Sequence, residues 1–380
     1  MQLSVIILNY NVRFFLEQCV LSVQKALENI DGEIIVIDNN SSDDSCEMIK
    51  TLFPTIKLIE NKENVGFPKG NNIGVAQAKG EYICILNPDT VVAENTFSKI
   101  LDFVTLSAVE VRNSQLGILG CKLIDGTGNF LPESKRGVPT PWVAFTKIFG
   151  LYKVSNLFGK YYAQHLTENQ SGKVDILVGA FMVMKRELYN EIGGFDENCF
   201  MYSDDIDLSY MALQKGKSNY YFHETNVIHY KGESTIRDEK YMKRFQEAMQ
   251  FFYKKHFKKS VLFDFFMKIG AFVFSLVKKN QFKIVTKEID EYIIFSKEEL
   301  QLNLKNKTTI LNEFSKFENN LNSNIEIIFD TKSFSFKEII AFMNSNKSKN
   351  LTFKNYIPNS NYLIGSNNSI DRGEIIQLKN

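Results

Sequence analysis

The chain has 380 residues, is 44% hydrophobic and carries a net charge of +1 from 45 basic and 44 acidic side chains. That length suits two or three domains with buried cores, and the near-neutral balance excludes a globally basic nucleic-acid binder. Five cysteines (Cys19, Cys46, Cys84, Cys121, Cys199) stand far apart with no C-x-x-C, which points to a reducing compartment and away from a metal knot.

The first apolar run, 5–8, has no basic residue before it and reads as part of a buried strand over 3–8, not a leader. Helical spacing follows over 14–27 (Phe15, Cys19, Val23, Leu27). A β-branched strand over 33–37 ends at Asp38. Ser41 or Ser42 is placed to cap the next helix, with Asp43 and Asp44 in its first turn. Strands are predicted at 56–59 and 81–86, and a helix at 71–78 that Gly80 ends. This alternation argues for a mostly parallel sheet covered by helices, in which ligands bind at the carboxyl ends of the strands. Polar residues sit at those ends: Asn9-Tyr10-Asn11, Asp38-Asn39-Asn40 and Asn87-Pro88-Asp89-Thr90.

Residues 122–172 are rich in Gly, Pro and aromatics, lack periodicity and contain Lys135-Arg136. An apolar run over 174–184 holds Gly179. A helix over 186–192 is stopped by Gly193-Gly194, and Ser203 is expected to cap another running to about Gly216. Short strands are predicted at 219–222 and 227–230. Beyond residue 240 the composition shifts. Lys254, Lys255, Lys258 and Lys259 precede an apolar stretch, 261–277, broken only by Asp264 and Lys268; Lys278, Lys279 and Lys283 follow. It is short for a membrane span, no window of 18 apolar residues exists, and the pattern suits a helix lying on a membrane surface or packed on the first domain. The last 80 residues are Asn-, Ser- and Lys-rich, with strand candidates at 325–329, 351–356 and 362–364 and a helix at 336–343. The expected division is 1–245 (α/β domain), 246–300 (basic and apolar helical segment) and 301–380 (small α/β module).

Asp38 is placed to accept a hydrogen bond from a nucleobase or ribose, or serves only its turn. Asp89 suits a divalent cation shared with a diphosphate, or an Asx-type turn after Pro88. The stretch from Asn64 to Gly74, with its glycines and asparagines, suits a loop against which a ligand lies close. Asp204, Asp205 and Asp207 put three carboxylates at one helix start. A helix dipole accounts for one of them, and side chains about 100° apart cannot all face one point. One is expected to act as general base and another to hold the helix. His229 is a candidate metal ligand, and Lys135, Arg136 and Lys231 are candidate phosphate contacts. The Walker A, dinucleotide-binding and nucleophile-elbow motifs are absent.

Taken together, Val5 through Asn11, Val36 through Asp43, Asn64 through Gly74, Leu86 through Thr90, Val178 through Met182, Gly193 through Glu197, Met201 through Leu208 and His229 through Thr235 resemble the family 2 glycosyltransferases. These are inverting enzymes of the GT-A fold, and the branch is that of bacterial rhamnosyltransferases and galactofuranosyltransferases. The resemblance implies a donor nucleotide bound by Asn9, Tyr10, Asn11, Asp38, Asn64, Gly66, Phe67, Asn71, Asn72 and Asn87. It implies Mg2+ or Mn2+ on Asp89 and His229, Asp205 as the base, and Arg136, Lys231 and Asp204 as phosphate or acceptor contacts. The donor would be a UDP- or dTDP-sugar, with dTDP-rhamnose among the candidates, and the acceptor a saccharide or lipid-linked saccharide of a cell-surface polysaccharide. The implied location is cytoplasmic, at the inner face of the membrane, with contact through 254–283.

Three departures stand out: Asn87 for the first Asp of the metal motif, Asp204 for the usual Glu, and Met211 where an Arg is usual. On Met211 and Asp204 rests the alternative of a catalytically silent nucleotide-sugar binding protein. A sugar nucleotidyltransferase would want a glycine-rich, basic N-terminal loop, which Leu8-Asn9-Tyr10-Asn11 is not.

Overall fold

The computed structural model describes residues 1–110, 115–140, 142–143, 161–231, 239–257, 288–369 and 373–378. In chain order, β1 (Leu3–Asn9), α1 (Arg13–Leu27), β2 (Gly32–Asp38), α2 (Ser45–Leu52), β3 (Lys57–Glu60), α3 (Phe67–Val75) and β4 (Tyr82–Leu86) alternate as predicted. Then come β5 (Thr90–Val91), α4 (Thr96–Glu110), β6 (Leu116–Ile124), β7 (Gly172–Val174), β8 (Phe181–Lys185), α5 (Arg186–Glu191), α6 (Asp204–Gln214), β9 (Ser218–His229) and α7 (Glu239–His256). The strands form one sheet in the order β3-β2-β1-β4-β8-β6-β9-β5, with β7 beside β9. β3, β2, β1 and β4 are parallel neighbours, and β8 is the antiparallel insertion between β4 and β6.

All seven residues of β1 are buried. Helices on both faces require this, and it explains an unbroken apolar run instead of an alternating one. One face packs α1, α2 and α4 through residues such as Leu16, Val20, Met48 and Phe97. The other packs α3, α5 and α6 through Val75, Tyr189 and Leu208. The chain turns from one side of β1 to the other between β3 and β4. The carboxyl ends of β1, β2 and β4 therefore frame the crevice where such sheets bind ligands.

Local details differ from expectation. The apolar run over 174–184 takes in the last residue of β7, a non-strand stretch with a bridge at Ile176 and a turn at Gly179-Ala180, and then β8, and the two short strands of 219–230 are one, β9. Ser41 and Ser42 do not cap α2, which starts at Ser45. Its first turn is held by Asp43, whose Oδ1 accepts from the Ser45 amide at 3.1 Å. α3 starts earlier than predicted, at Phe67, because Gly66 adopts φ +83° and Pro68 fits the first helical turn. Ser203 stands at the N-cap of α6, but its hydroxyl donates to the Ala248 carbonyl of α7 at 2.9 Å and does not cap.

A second sheet contains β10 (Glu291–Phe295), β11 (Lys307–Leu311), β12 (Ile325–Asp330), β13 (Leu351–Ile357), β14 (Tyr362–Ser366) and β15 (Glu374–Gln377), in the order β11-β10-β12-β13-β14-β15. It opens at Glu291, ahead of the boundary read from composition. Its first four strands in that order are parallel, with α8 (Phe336–Ser345) behind β12. Phe295, Phe329 and Phe353 stack across adjacent strands, with ring centroids 5.8 and 6.1 Å apart.

This module shares its core with the first sheet: Phe15, Val91, Ile228 and Tyr230 pack in one cluster with Phe295, Phe329 and Phe353. Polar ties reinforce the joint. The Glu94 carboxylate accepts from the Phe336 and Lys337 amides at 2.8 and 2.7 Å, closing the start of α8. Lys25 donates to the Thr331 carbonyl at 3.1 Å, and the Tyr362 hydroxyl to Phe14 at 3.0 Å. All five cysteines are free. Among the described residues no helix is long and apolar enough to cross a membrane. The expected membrane-surface stretch, 261–277, lies outside the described residues.

Candidate active site

The parallel register sets Asn9 directly beside Asp38. Asp38 is buried and fully occupied by its own surroundings: Oδ1 accepts from Asn9 Nδ2 (2.7 Å) and Ser41 Oγ (2.6 Å), and Oδ2 from the Ser41 amide (2.8 Å). The Asx-type turn and the ligand edge are thus one construction. The group it leaves over is Asn9 Oδ1, buried and without a hydrogen-bond partner. Asn11, at φ +57°, accepts from the Ser42 amide at 2.7 Å, and Tyr10 beside it is exposed.

The glycine-asparagine loop closes this side. Asn64 Oδ1 accepts from the Gly66 amide (3.0 Å), and Asn39 donates to the Gly66 carbonyl (3.1 Å). A Cβ on Gly66 would stand 2.8 Å from the Phe200 carbonyl, so only glycine fits beneath that loop. Asn71 donates to Phe67 and keeps a buried Oδ1 without a partner. Asn72 turns elsewhere: it donates to the Phe195 carbonyl (2.9 Å) and to Glu197 (3.0 Å) and accepts from Tyr189 (2.5 Å), stapling the acidic loop to α3.

After β4, the pairing of Thr90 with His229 brings Asp89 to the end of β9. His229 Nε2 lies 3.4 Å from Asp89 Oδ1 and 3.5 Å from Asn87 Nδ2. Both Asp89 and His229 are buried, and Asn87 Oδ1 and His229 Nδ1 have no partner. Among the described residues no three His, Cys, Asp or Glu side chains cluster as a self-sufficient metal cage. A carboxylate, an imidazole and an orphaned amide oxygen suit a hard cation that completes its shell with phosphate oxygens.

The three aspartates of α6 meet three environments. Asp205 Oδ2 accepts from Arg136 Nη2 at 2.6 Å and from the Gly179 amide at 3.1 Å. Asp204 is equally buried but has no cation of its own; burial and the neighbouring Asp205 charge push its carboxyl up to about 7. Asp207 pairs with His256 Nε2 (2.5 Å) and Lys255 Nζ (2.8 Å) of α7, so it braces one helix against the other. Lys255 also stands 3.6 Å from the Met211 sulfur, so a cation reaches that place from α7 although α6 lacks one.

The expected phosphate contacts are engaged within the protein. Lys135 donates to the Tyr162, Ala163 and Leu166 carbonyls, Arg136 to Asp205 and Leu177, and Lys231 pairs with Glu133, whose carboxyl is lowered by that cation against the opposing effect of burial.

The Gly179-Ala180 turn carries no reactive group, and so was not assigned as part of the site. Yet the Gly179 amide holds Asp205, while the Ala180 carbonyl accepts from the Asn87 amide at 3.1 Å. A Cβ placed on Gly179 would touch Asp205 at 3.3 Å and Phe67 at 3.8 Å. The candidate base, metal loop and nucleoside loop therefore converge on two adjacent residues. The available signal was a glycine interrupting an apolar run.

The Glycosyl transferase family 2 profile matches residues 4–109, from β1 into α4. An N-acetylglucosaminyl-diphospho-decaprenol L-rhamnosyltransferase of Mycobacterium tuberculosis is 25% identical over 247 residues, 62% of this chain and 78% of that protein. A GalNAc(5)-diNAcBac-PP-undecaprenol beta-1,3-glucosyltransferase of Campylobacter jejuni is 30% identical over 174 residues, 44% of this chain and 54% of that protein. Among solved structures, a mannosyltransferase from Pyrobaculum calidifontis in complex with GDP-Man and Mn2+ is similar at TM-score 0.47 and 17% identity, covering 72% of this chain and 69% of that one. The profile match falls on the strands whose carboxyl ends carry Asn9, Asp38 and Asp89, and over residues 4–109 the chain is a family 2 glycosyltransferase.

Proposed function

We propose that this glycosyltransferase inverts the sugar it transfers, moving it from a nucleotide-diphosphate sugar to a hydroxyl of a saccharide or lipid-linked saccharide in cell-surface glycan synthesis. The observation that carries the reading is the convergence of Asp205, Asn87 and Phe67 on the Gly179-Ala180 turn. It sets a buried carboxylate beside a donor crevice. A UDP- or dTDP-sugar is the expected donor, and the mycobacterial relative named for L-rhamnose transfer favours dTDP-rhamnose. Both named relatives bear polyprenyl diphosphate saccharides in their names, which favours a lipid-linked acceptor and contact with the inner membrane face through 254–283.

In this mechanism Asn9 Oδ1 and Asn71 Oδ1 offer buried acceptors to the nucleoside. Asp89 and His229, with Asn87 Oδ1 beside them, would hold Mg2+ or Mn2+, which neutralises the departing diphosphate. The acceptor hydroxyl attacks the anomeric carbon from the face opposite the diphosphate. A bond forms from its oxygen to that carbon, the bond to the diphosphate oxygen breaks with its electron pair, and the hydroxyl proton passes to Asp205. Base catalysis of this kind contributes about 10²–10⁴-fold. Asp205→Asn should bind donor with unchanged affinity and lose transfer. Normal turnover would overturn the assignment, and unchanged calorimetric donor affinity of Asp89→Ala with Mn2+ would remove the metal role.

One observation favours a second reading. With its carboxyl pushed up to about 7 by burial and Asp205, Asp204 has the proton affinity expected of a base near neutral pH. If Asp204 takes the proton, Asp204→Asn is the inactive variant and wild-type turnover falls below about pH 7. In the first reading that variant remains active.

A further inference from the structure

We propose that Arg136 is a positioning residue for the transfer step: it fixes Asp205 through one carboxylate oxygen, leaving the other for the acceptor hydroxyl. The inference rests on Asp205 being the base.

Two donors, Arg136 Nη2 and the Gly179 amide, fall on the same oxygen, Oδ2. Oδ1 takes part in neither bond, and the Asp205 side chain keeps 12% of its surface exposed. A base needs this arrangement: one oxygen held, the other reachable. Arg136 is itself immobilised. Its backbone forms a bridge with Ile176, and Nη2 also donates to the Leu177 carbonyl at 2.7 Å. The guanidinium therefore ties the Gly179 turn to the first turn of α6, and a buried cation so placed is not free to follow a phosphate.

Its charge also meets a pair of carboxylates. Asp204 and Asp205 lie side by side, and buried like charges do not both ionise freely. Burial opposes the Arg136 charge, but Asp205 and the Tyr161 hydroxyl beside it hold the guanidinium protonated. Among the described residues Cys199 also stands near Asp204, and Asp207 pairs with Lys255 and His256. Asp204, with no cation of its own, is the member of the pair whose carboxyl burial and the Asp205 charge push up, so a proton on the pair is held there.

The test uses the full chain with Arg136→Met and Arg136→Lys, alongside Asp205→Asn, measuring kcat, donor KM and the pH dependence of kcat. We expect Arg136→Met to lower kcat by about 10²-fold at pH 7, within the range a misplaced base forfeits. Donor KM should stay within about twofold, with activity recovering as pH rises and both carboxylates ionise. Arg136→Lys, which keeps the charge but not the fork, should restore part of kcat. A raised donor KM with intact kcat in either variant would make Arg136 a phosphate contact and overturn the proposal. So would a lowered kcat with an unshifted pH profile, or full activity of Arg136→Met. If Arg136→Met does not fold, Arg136→Lys decides by the KM and kcat split: lowered kcat with donor KM within about twofold supports the role, and any other result overturns it. An active Asp205→Asn brings down the base assignment together with this inference, whereas an inactive Asp205→Asn with a normal Arg136→Met brings down this inference alone.

Discussion

Replacing Asp204 by asparagine should stabilise the protein, increasingly so as pH rises. The carboxyl is 7% exposed and its affinity for a proton is raised from an ordinary 3.8 to about 7 by burial and by Asp205. The sign follows from linkage. Between those values the folded chain holds a proton that the unfolded chain releases, so rising pH favours unfolding. Below 3.8 both states are protonated and the variant has no advantage; above about 7 the folded chain must carry the buried charge in full. Each tenfold change in proton affinity is worth about 1.4 kcal/mol, so the advantage approaches a ceiling of roughly 4 kcal/mol. About 2–3 kcal/mol of it should appear between pH 5 and pH 8. Asparagine keeps the shape and an oxygen for the backbone amides, so the change isolates the charge. Urea unfolding of both proteins across that range, without metal or donor, measures the difference. A constant difference, or a variant less stable at pH 8, would refute the account of Asp204.

Other changes test other joints. Asp207→Ala removes the partner of Lys255 and His256 in a buried cluster and should cost about 3–5 kcal/mol; a midpoint shift equivalent to less than about 1 kcal/mol would show that α7 does not brace α6 through these contacts. Phe295→Ala should cost about 3–5 kcal/mol, and because the two sheets share a core it should lower a single calorimetric transition instead of splitting off a separate one. Glu94→Ala exposes the start of α8 and should cost about 1 kcal/mol in chemical unfolding. Gly66→Ala meets both a positive φ and the Phe200 carbonyl, so it should lose about 1–3 kcal/mol and weaken donor binding in calorimetry.

The alternating first half was legible because parallel strands buried on both faces are written as unbroken β-branched runs. β6 was not anticipated. Its Gly117 and Gly120 weaken the strand signal, yet each sits where a Cβ would come within 2.6 Å of Asn219 or Leu177. The polar edge strand β11 and the three-residue β7 were too weakly patterned to stand out. At the site, the carboxylates and asparagines at strand ends were legible by type and position. Their partners were not: Arg136 and Asp205 are 69 residues apart, and Asp207 and His256 are 49. Nor could local sequence tell that the Ser203 hydroxyl would be taken by a carbonyl 45 residues away.

The aspartates of α6 show how one residue type in one helical turn divides its work. The helix N-terminus favours all three alike, so the dipole cannot be what separates them. What separates them is the direction each side chain takes from the axis, and hence which element it meets. Asp207 reaches α7 and finds Lys255 and His256. Asp205 reaches the Gly179 turn and finds a guanidinium and an amide on one oxygen. Asp204 meets no cation of its own, and burial and the Asp205 charge raise its proton affinity. Arg136 is committed to Asp205 by a hydrogen bond, and Asp204 beside it is left as the carboxyl that burial raises, so neighbours in one helical turn meet different chemistry.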